Sequence, residues 1–203
     1  MIIFMKNNIP KKLLFSEVEK IQKTLAVIKK KYLRNFDKLC FECLKTIQNN
    51  NKIIFYGNGG SASDAQHLAA ELVVRYKKNR KAISAISLAT DTSIITATGN
   101  DFDFKFIFSR QIEAVAKKGD LAIAITTSGN SQNLIEAAKT LNKMKIKSFC
   151  FAGNKGGKLK KFIKYPVIIP SSNTSEIQVL EIMIGQILCE FLENNINKLN
   201  PKF

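Results

Sequence analysis

The sequence predicts an α/β fold: a three-layer sandwich with a five-stranded parallel sheet flanked by helices, preceded by a long N-terminal helical segment. Three observations predict it. Five short stretches, residues 52–56, 82–88, 121–126, 147–152 and 165–169, are apolar through most of their length, as strands buried on both faces are. Helical patterns separate them, the order that builds parallel sheets. A chain of 203 residues with 45% hydrophobic content is also long enough for one sizeable core. Residues 1–203 therefore read as a single domain, with a helical segment at 1–50 and an α/β core at 51–197.

Each element has its own signal. Val18, Ile21, Leu25, Ile28, Tyr32, Phe36, Leu39, Cys43 and Ile47 recur at three- and four-residue steps, which predicts one long amphipathic helix or two in succession over 15–49. Asn49-Asn50-Asn51 is its stop. The strand at 52–56 runs into Gly57-Asn58-Gly59-Gly60-Ser61, after which a helix begins between Ser61 and Asp64 and continues to Tyr76. Further helices are expected at 92–98, 107–116, 132–144 and 174–194, with a loop at 99–104.

The charge is +16 at neutral pH, with 32 Lys+Arg against 16 Asp+Glu. Such an excess raises nucleic-acid binding as a function. The lysines, however, fall in short separate groups (Lys29 to Lys31, Lys77-Lys78, Lys117-Lys118, Lys158 to Lys164) without the interleaved aromatics that stack bases, so no specific nucleic-acid partner is expected. No uncharged apolar run reaches the roughly 18 residues of a membrane helix. Met1 to Met5 is too short for a secretory core and is followed by lysine, and Met5 is an alternative start; a cytoplasmic location and no membrane partner follow. Cys40, Cys43, Cys150 and Cys189 make no metal-binding spacing and read as buried thiols.

In parallel sheets ligands bind beyond the carboxyl ends of strands, so the turns leaving the first and third strands are the ones to read. Gly57-Asn58-Gly59-Gly60-Ser61 lets the backbone approach a ligand closely, and it leaves N–H groups free at a helix start. Thr126-Thr127-Ser128-Gly129-Asn130-Ser131 places four hydroxyls around a glycine just ahead of another helix, a phosphate cradle without a cationic side chain. Neither turn matches the nucleotide-binding glycine patterns. Along the helix after the first turn stand His67, the only histidine, and Glu71, four residues on and on the same face. Such a pair can hold a metal or divide a proton transfer, and the structural alternative for Glu71 is an ion pair with Arg75. A partly buried face there is expected to raise the Glu71 pKa. In the last helix Gln178, Gly185 and Gln186 share a sector of about 100° at ~100° per residue. Glu181 is read as structural. Asn100 and Asp101 can bond hydroxyls or fix their loop, Phe102, Phe104, Phe106 and Phe108 read as packing, and Arg75 and Arg110 are candidate anion contacts.

Taken in order, Gly57-Asn58-Gly59-Gly60-Ser61, Asp64-x-x-His67-x-x-x-Glu71-Leu72, Gly99-Asn100-Asp101, Thr126 to Ser131 and Ile177-Gln178 resemble the sedoheptulose 7-phosphate isomerases, or phosphoheptose isomerases, of the sugar-isomerase (SIS) domain group. The resemblance implies a five-stranded parallel sheet, a homo-oligomer, expected as a tetramer, with active sites at subunit interfaces, and a sugar-phosphate substrate. It implies isomerisation of sedoheptulose 7-phosphate to a glycero-manno-heptose 7-phosphate, for lipopolysaccharide or surface polysaccharide. Thr126, Thr127, Ser128 and Ser131 would hold the phosphate. Asn58, Gly59, Gly60, Asn100 and Asp101 would contact the sugar, with Ser61 and Gln178 beside them. Glu71 would be the base of an enediol proton transfer, with His67 and Gln186 as its catalytic neighbours. Some members hold zinc with residues matching His67, Glu71, Gln178 and a histidine eight positions later. Here that position is Gln186, so the implied zinc set is His67, Glu71, Gln178 and Gln186. Two rival readings are a non-catalytic protein that binds the replication initiator, as one relative of the family does, and a sensor of another sugar phosphate.

Overall fold

The structure is a computed structural model that describes residues 9–31 and 33–196. The reading of Met1 to Met5, the helical position of Tyr32 and the end of the core at 197 lie outside the described residues. Seven helices and five strands alternate as expected: α1 Ile9–Lys31, α2 Leu33–Gln48, β1 Ile53–Gly57, α3 Gly60–Val73, β2 Ala85–Ser87, α4 Thr92–Asp101, α5 Ser109–Val115, β3 Leu121–Thr126, α6 Gln132–Lys143, β4 Lys147–Gly153, β5 Tyr165–Ile169 and α7 Thr174–Asn195. Of the two N-terminal alternatives, two successive helices are the outcome.

All strand pairs are parallel, in the order β2-β1-β3-β4-β5. Strand side chains alternate between faces, and β1 shows the result. Ile53 and Phe55 enter one core with Leu39, Leu68 and Leu188 from α2, α3 and α7. Ile54 and Tyr56 enter the other with Phe108, Ile112 and Leu134. Both faces are covered, so β1 and β3 are buried throughout and apolar along nearly all their length. Among the described residues no helix is long and apolar enough to cross a membrane, and the four cysteines are buried and unpaired.

Three elements near the two turns depart from expectation. First, α3 begins at Gly60, because Gly59 adopts φ 57° and its carbonyl accepts the Ala62 N–H at 3.0 Å. It ends at Val73 rather than Tyr76, because the Arg80 guanidinium takes the carbonyls of Glu71 and Leu72 at 2.7 and 2.8 Å. Second, β2 keeps three residues of the seven expected. Third, α4 runs through Gly99 to Asp101, so Asn100 and Asp101 sit on the last turn of a helix and not in a loop. Asp91 caps its start, accepting the Ile94 N–H at 2.9 Å.

Candidate active site

The strand order reverses between β1 and β3, and ligands in open parallel sheets bind at such a point. In the shared register Gly57 lies opposite Ile125, so the turns leaving the two strands emerge side by side. They are the two turns singled out in the sequence.

The first turn needs its glycines for different reasons. Gly59 has a positive φ with open space around it, so conformation alone excludes larger residues. At Gly60 a Cβ would collide with the Gln178 amide, which brings the start of α7 against the start of α3. No side chain caps α3, so no capping side chain competes with a ligand for the N–H groups of Gly60 and Ser61 at its start. Asn58 is tied sideways to Asn133 of α6 by a reciprocal amide pair, 2.9 Å in one direction and 2.8 Å in the other.

The second turn is folded by its own hydroxyls. Thr126 Oγ1 accepts the Gly129 N–H at 3.1 Å, and Ser128 Oγ accepts the Asn130 N–H at 3.2 Å. Segment 156–159 braces it from behind: the Leu159 N–H donates to the Gly129 carbonyl and the Lys158 N–H to Asn130 Oδ1. Ser131 is the N-cap of α6 without using its side chain, which leaves its hydroxyl and the helix N-terminus for an anion. Asn58, Ser131 and Asn133 line one open cleft with Asp103, Phe104 and Lys105.

One face of α3 carries the reactive pair. His67 Nε2 lies 2.9 Å from Glu71 Oε1, so Glu71 pairs with His67 and not with Arg75. The face is more open than the sequence suggested: the His67 side chain is 46% exposed and that of Glu71 20%. Asp64, one turn earlier, has its pKa raised by burial, partly offset by the nearby His67. Gly185 on α7 abuts Leu68, so α7 runs along this helix, with Gln178 and Gln186 both half-buried. Asn100 and Asp101 stand apart. They are exposed, bonded to each other at 2.8 Å, and absent from the lining of the cleft.

Sequence reasoning missed two residues here. Asn133, 2% exposed, is the hidden partner of Asn58, and only its place in the first turn of α6 hinted at it. Lys105, ion-paired with Asp103 at 3.3 Å, supplies a cation at a cleft expected to work without one. Of the aromatic series, Phe108 is core, 5.5 Å from the Tyr56 ring, whereas Phe102 and Phe104 are exposed, with the Arg110 guanidinium 4.1 Å from the Phe102 ring.

Zinc prefers imidazole, thiolate and carboxylate. The implied set of His67, Glu71, Gln178 and Gln186 contains one imidazole, one carboxylate and two amides, and the imidazole Nε2 already faces Glu71. Among the described residues no group of three or more His, Cys, Asp or Glu could hold a metal ion. The residues present do not fit a zinc site.

Comparison with known proteins agrees with this geometry. The SIS domain family matches residues 18–151, which makes the chain a SIS-domain protein. It is 48% identical over 170 residues to a phosphoheptose isomerase of Paramagnetospirillum magneticum, covering 84% of this chain and 88% of the relative. The phosphoheptose isomerase of Helicobacter pylori strain 26695 is 40% identical over 196 residues, 97% of this chain and 100% of the relative. The structure of the Neisseria gonorrhoeae phosphoheptose isomerase superposes with a TM-score of 0.85 at 31% identity, covering 91% of this chain and 98% of that one. Within the SIS-domain proteins, the chain belongs to the phosphoheptose isomerase family.

Proposed function

We propose that the chain isomerises sedoheptulose 7-phosphate to D-glycero-D-manno-heptose 7-phosphate, an aldose–ketose isomerisation of heptose biosynthesis. The observation that carries this reading is the 2.9 Å His67–Glu71 pair, placed on the helix that leaves the glycine-rich turn at the switch point of the sheet. The Thr126, Thr127, Ser128 and Ser131 turn with the α6 N-terminus takes the phosphate, and Lys105 adds a charge that the hydroxyls lack. The Asn58 side chain and the backbone of Gly59, Gly60 and Ser61 meet the sugar hydroxyls, the Ser61 hydroxyl being turned inward to Glu181. The Glu71 carboxylate takes a proton from C1 as O2 gains one, giving the enediol. Glu71 then returns its proton to C2 as O1 loses one, and the aldehyde forms. His67 faces Glu71 through Nε2 and keeps Nδ1 to exchange the hydroxyl protons. Gln178 and Gln186, as amides, orient hydroxyls and move no proton near neutral pH.

The test is to incubate the protein with sedoheptulose 7-phosphate and follow the aldose product beside a Glu71→Gln control. Turnover no greater than the control would sink the reading. We propose further that zinc is dispensable. Added zinc leaves the rate unchanged, and a stoichiometric rise would restore the four-residue set of His67, Glu71, Gln178 and Gln186 as ligands. Thermal shifts across a panel of sugar phosphates separate a heptose substrate from another ligand of the same site.

Assembly as a homo-oligomer, with the tetramer as the expected form and sites at the interfaces, belongs to the same proposal. It is supported by half- or more exposed apolar side chains, Val74 just after α3, Val179 on α7 and Phe102 and Phe104 after α4, and by Asn100 and Asp101 standing outside the cleft of their own chain. Four unpaired thiols support a reducing, cytoplasmic compartment.

A further inference from the structure

One carboxylate between the two turns has no role in the reaction described above. Glu181 of α7 is 0% exposed, yet no cation pairs with it among the described residues. Ser61 Oγ donates to its Oε2 at 3.2 Å, and the backbone N–H of Thr126 lies close enough to favour the charged carboxylate. Its Oε1 is buried without a hydrogen-bond partner, and so is Oδ2 of Asp64. The groups that face Glu181 are Ser61 and Asp64 from α3, the Thr126 N–H from β3 and the Cys150 thiol from β4. Two acidic side chains close enough to feel each other's charge thus each keep a buried oxygen without a partner, beside Ser61 at the start of α3. Burial, reinforced by the Asp64 charge, pushes Glu181 up to about 8, against the pull of Ser61 and Thr126.

We propose that Glu181 is a positioning residue of the isomerase site: held as a neutral carboxyl beside Asp64, it ties the first turn of α3 to the end of β3 and keeps the floor under both turns uncharged. A neutral carboxyl supplies an O–H donor where two orphaned oxygens otherwise have none, and it removes a like-charge clash in a low-dielectric place. Loss of that proton to solvent puts a negative charge between Ser61 and Thr126, beneath an anionic substrate, so binding weakens as pH rises.

The inference rests on the isomerase reading, and two readouts keep them apart. The first is KM and kcat for sedoheptulose 7-phosphate from about pH 6 to about pH 9.5 for the wild type, Glu181→Gln and Asp64→Asn. In the wild type KM climbs toward tenfold per pH unit above about 8, while kcat changes less. Glu181→Gln, which cannot ionise, loses the climb. Asp64→Asn, which removes the neighbouring charge, moves its onset to lower pH. The second readout needs no turnover. Glu181 keeps its proton in the folded chain up to about 8 but loses it above an ordinary value of 4.5 when unfolded. The folded state therefore binds the extra proton between these values, and wild-type stability falls with rising pH through that window. The Tm difference between the wild type and Glu181→Gln changes across the same window. If Glu181→Gln does not fold, the carboxyl-carbon NMR titration of the wild type against Asp64→Asn reads the same ionisation. A Tm difference constant with pH, or no carboxyl titrating near 8, overturns the neutral carboxyl whatever the activity. A wild-type KM flat across the range, with normal turnover, overturns its positioning role. Absence of turnover at every pH overturns the isomerase reading instead, and it does so without altering the Tm result.

Discussion

Glu71 and His67 are four residues apart on α3, and their 2.9 Å contact leaves each as the nearest proton partner of the other. Glu71→Gln keeps the shape and removes the base, so kcat falls by roughly 10²- to 10⁴-fold while Tm stays near the wild-type value. Steady-state rates beside a thermal melt check this. Asn133 acts differently, since it touches the cleft chiefly by holding Asn58. Asn133→Leu breaks both amide bonds and strands the Asn58 side chain. It weakens folding by about 1–3 kcal/mol and raises KM more than it lowers kcat. Urea unfolding and a KM-against-kcat comparison read the two effects, and Asn133→Asp, which still accepts one bond, recovers part of the loss.

At the scale of elements, α3 is fixed at both ends by side chains from outside it, distant in sequence at its start and local at its end. Its start is held by Gln178 over Gly60 and Ser61 on Glu181. Its end is held by Arg80, whose guanidinium caps two carbonyls and faces the Glu193 carboxylate at 3.2 Å, both side chains almost wholly buried. The Nε–H is not aimed along that contact, so it is an ion pair rather than a hydrogen bond. Glu193 in turn accepts the N–H groups of Tyr76, Lys77 and Lys78. Arg80→Ala leaves that carboxylate buried beside no cation and takes the guanidinium donors from the Glu71 and Leu72 carbonyls, of which Leu72 keeps the Ile83 N–H. Stability drops by about 3–5 kcal/mol. Because Glu71 lies on the last turn of α3, the surviving folded protein also shows a lowered kcat, measured after correcting for the folded fraction.

For the whole molecule, the prediction concerns assembly. Sedimentation of the full chain is expected to give a species several times heavier than 22.8 kDa, and a monomer that turns over sugar phosphate at the wild-type rate would rule out interfacial sites. The +16 charge forms no single reading surface. Its lysine groups sit on α1, after α3, after α5 and around the 158–164 segment, separate parts of the fold. An excess spread in this way attracts polyanions without sequence preference and weakens in salt.

The sequence by itself determined the strand count, the two turns at the switch point and the His67–Glu71 pair. These depend on local periods and short spacings: continuous apolar runs in buried strands, glycine where φ turns positive, and i, i+4 neighbours on one helix face. It also determined the family, through the order of those motifs. Only the tertiary structure decided the strand order that places the two turns side by side and the Asn58–Asn133 bridge across them. It also decided the early stop of α3 at Arg80 and the removal of Asn100 and Asp101 from the cleft by an α4 longer than its apolar pattern. Glu181 shows why. As one acidic residue in an amphipathic helix it read as structural, and its meaning came from Ser61, Thr126, Asp64 and Cys150, four groups on three other elements. The environment that keeps such a carboxyl neutral is made by packing between distant segments, and no local pattern encodes it.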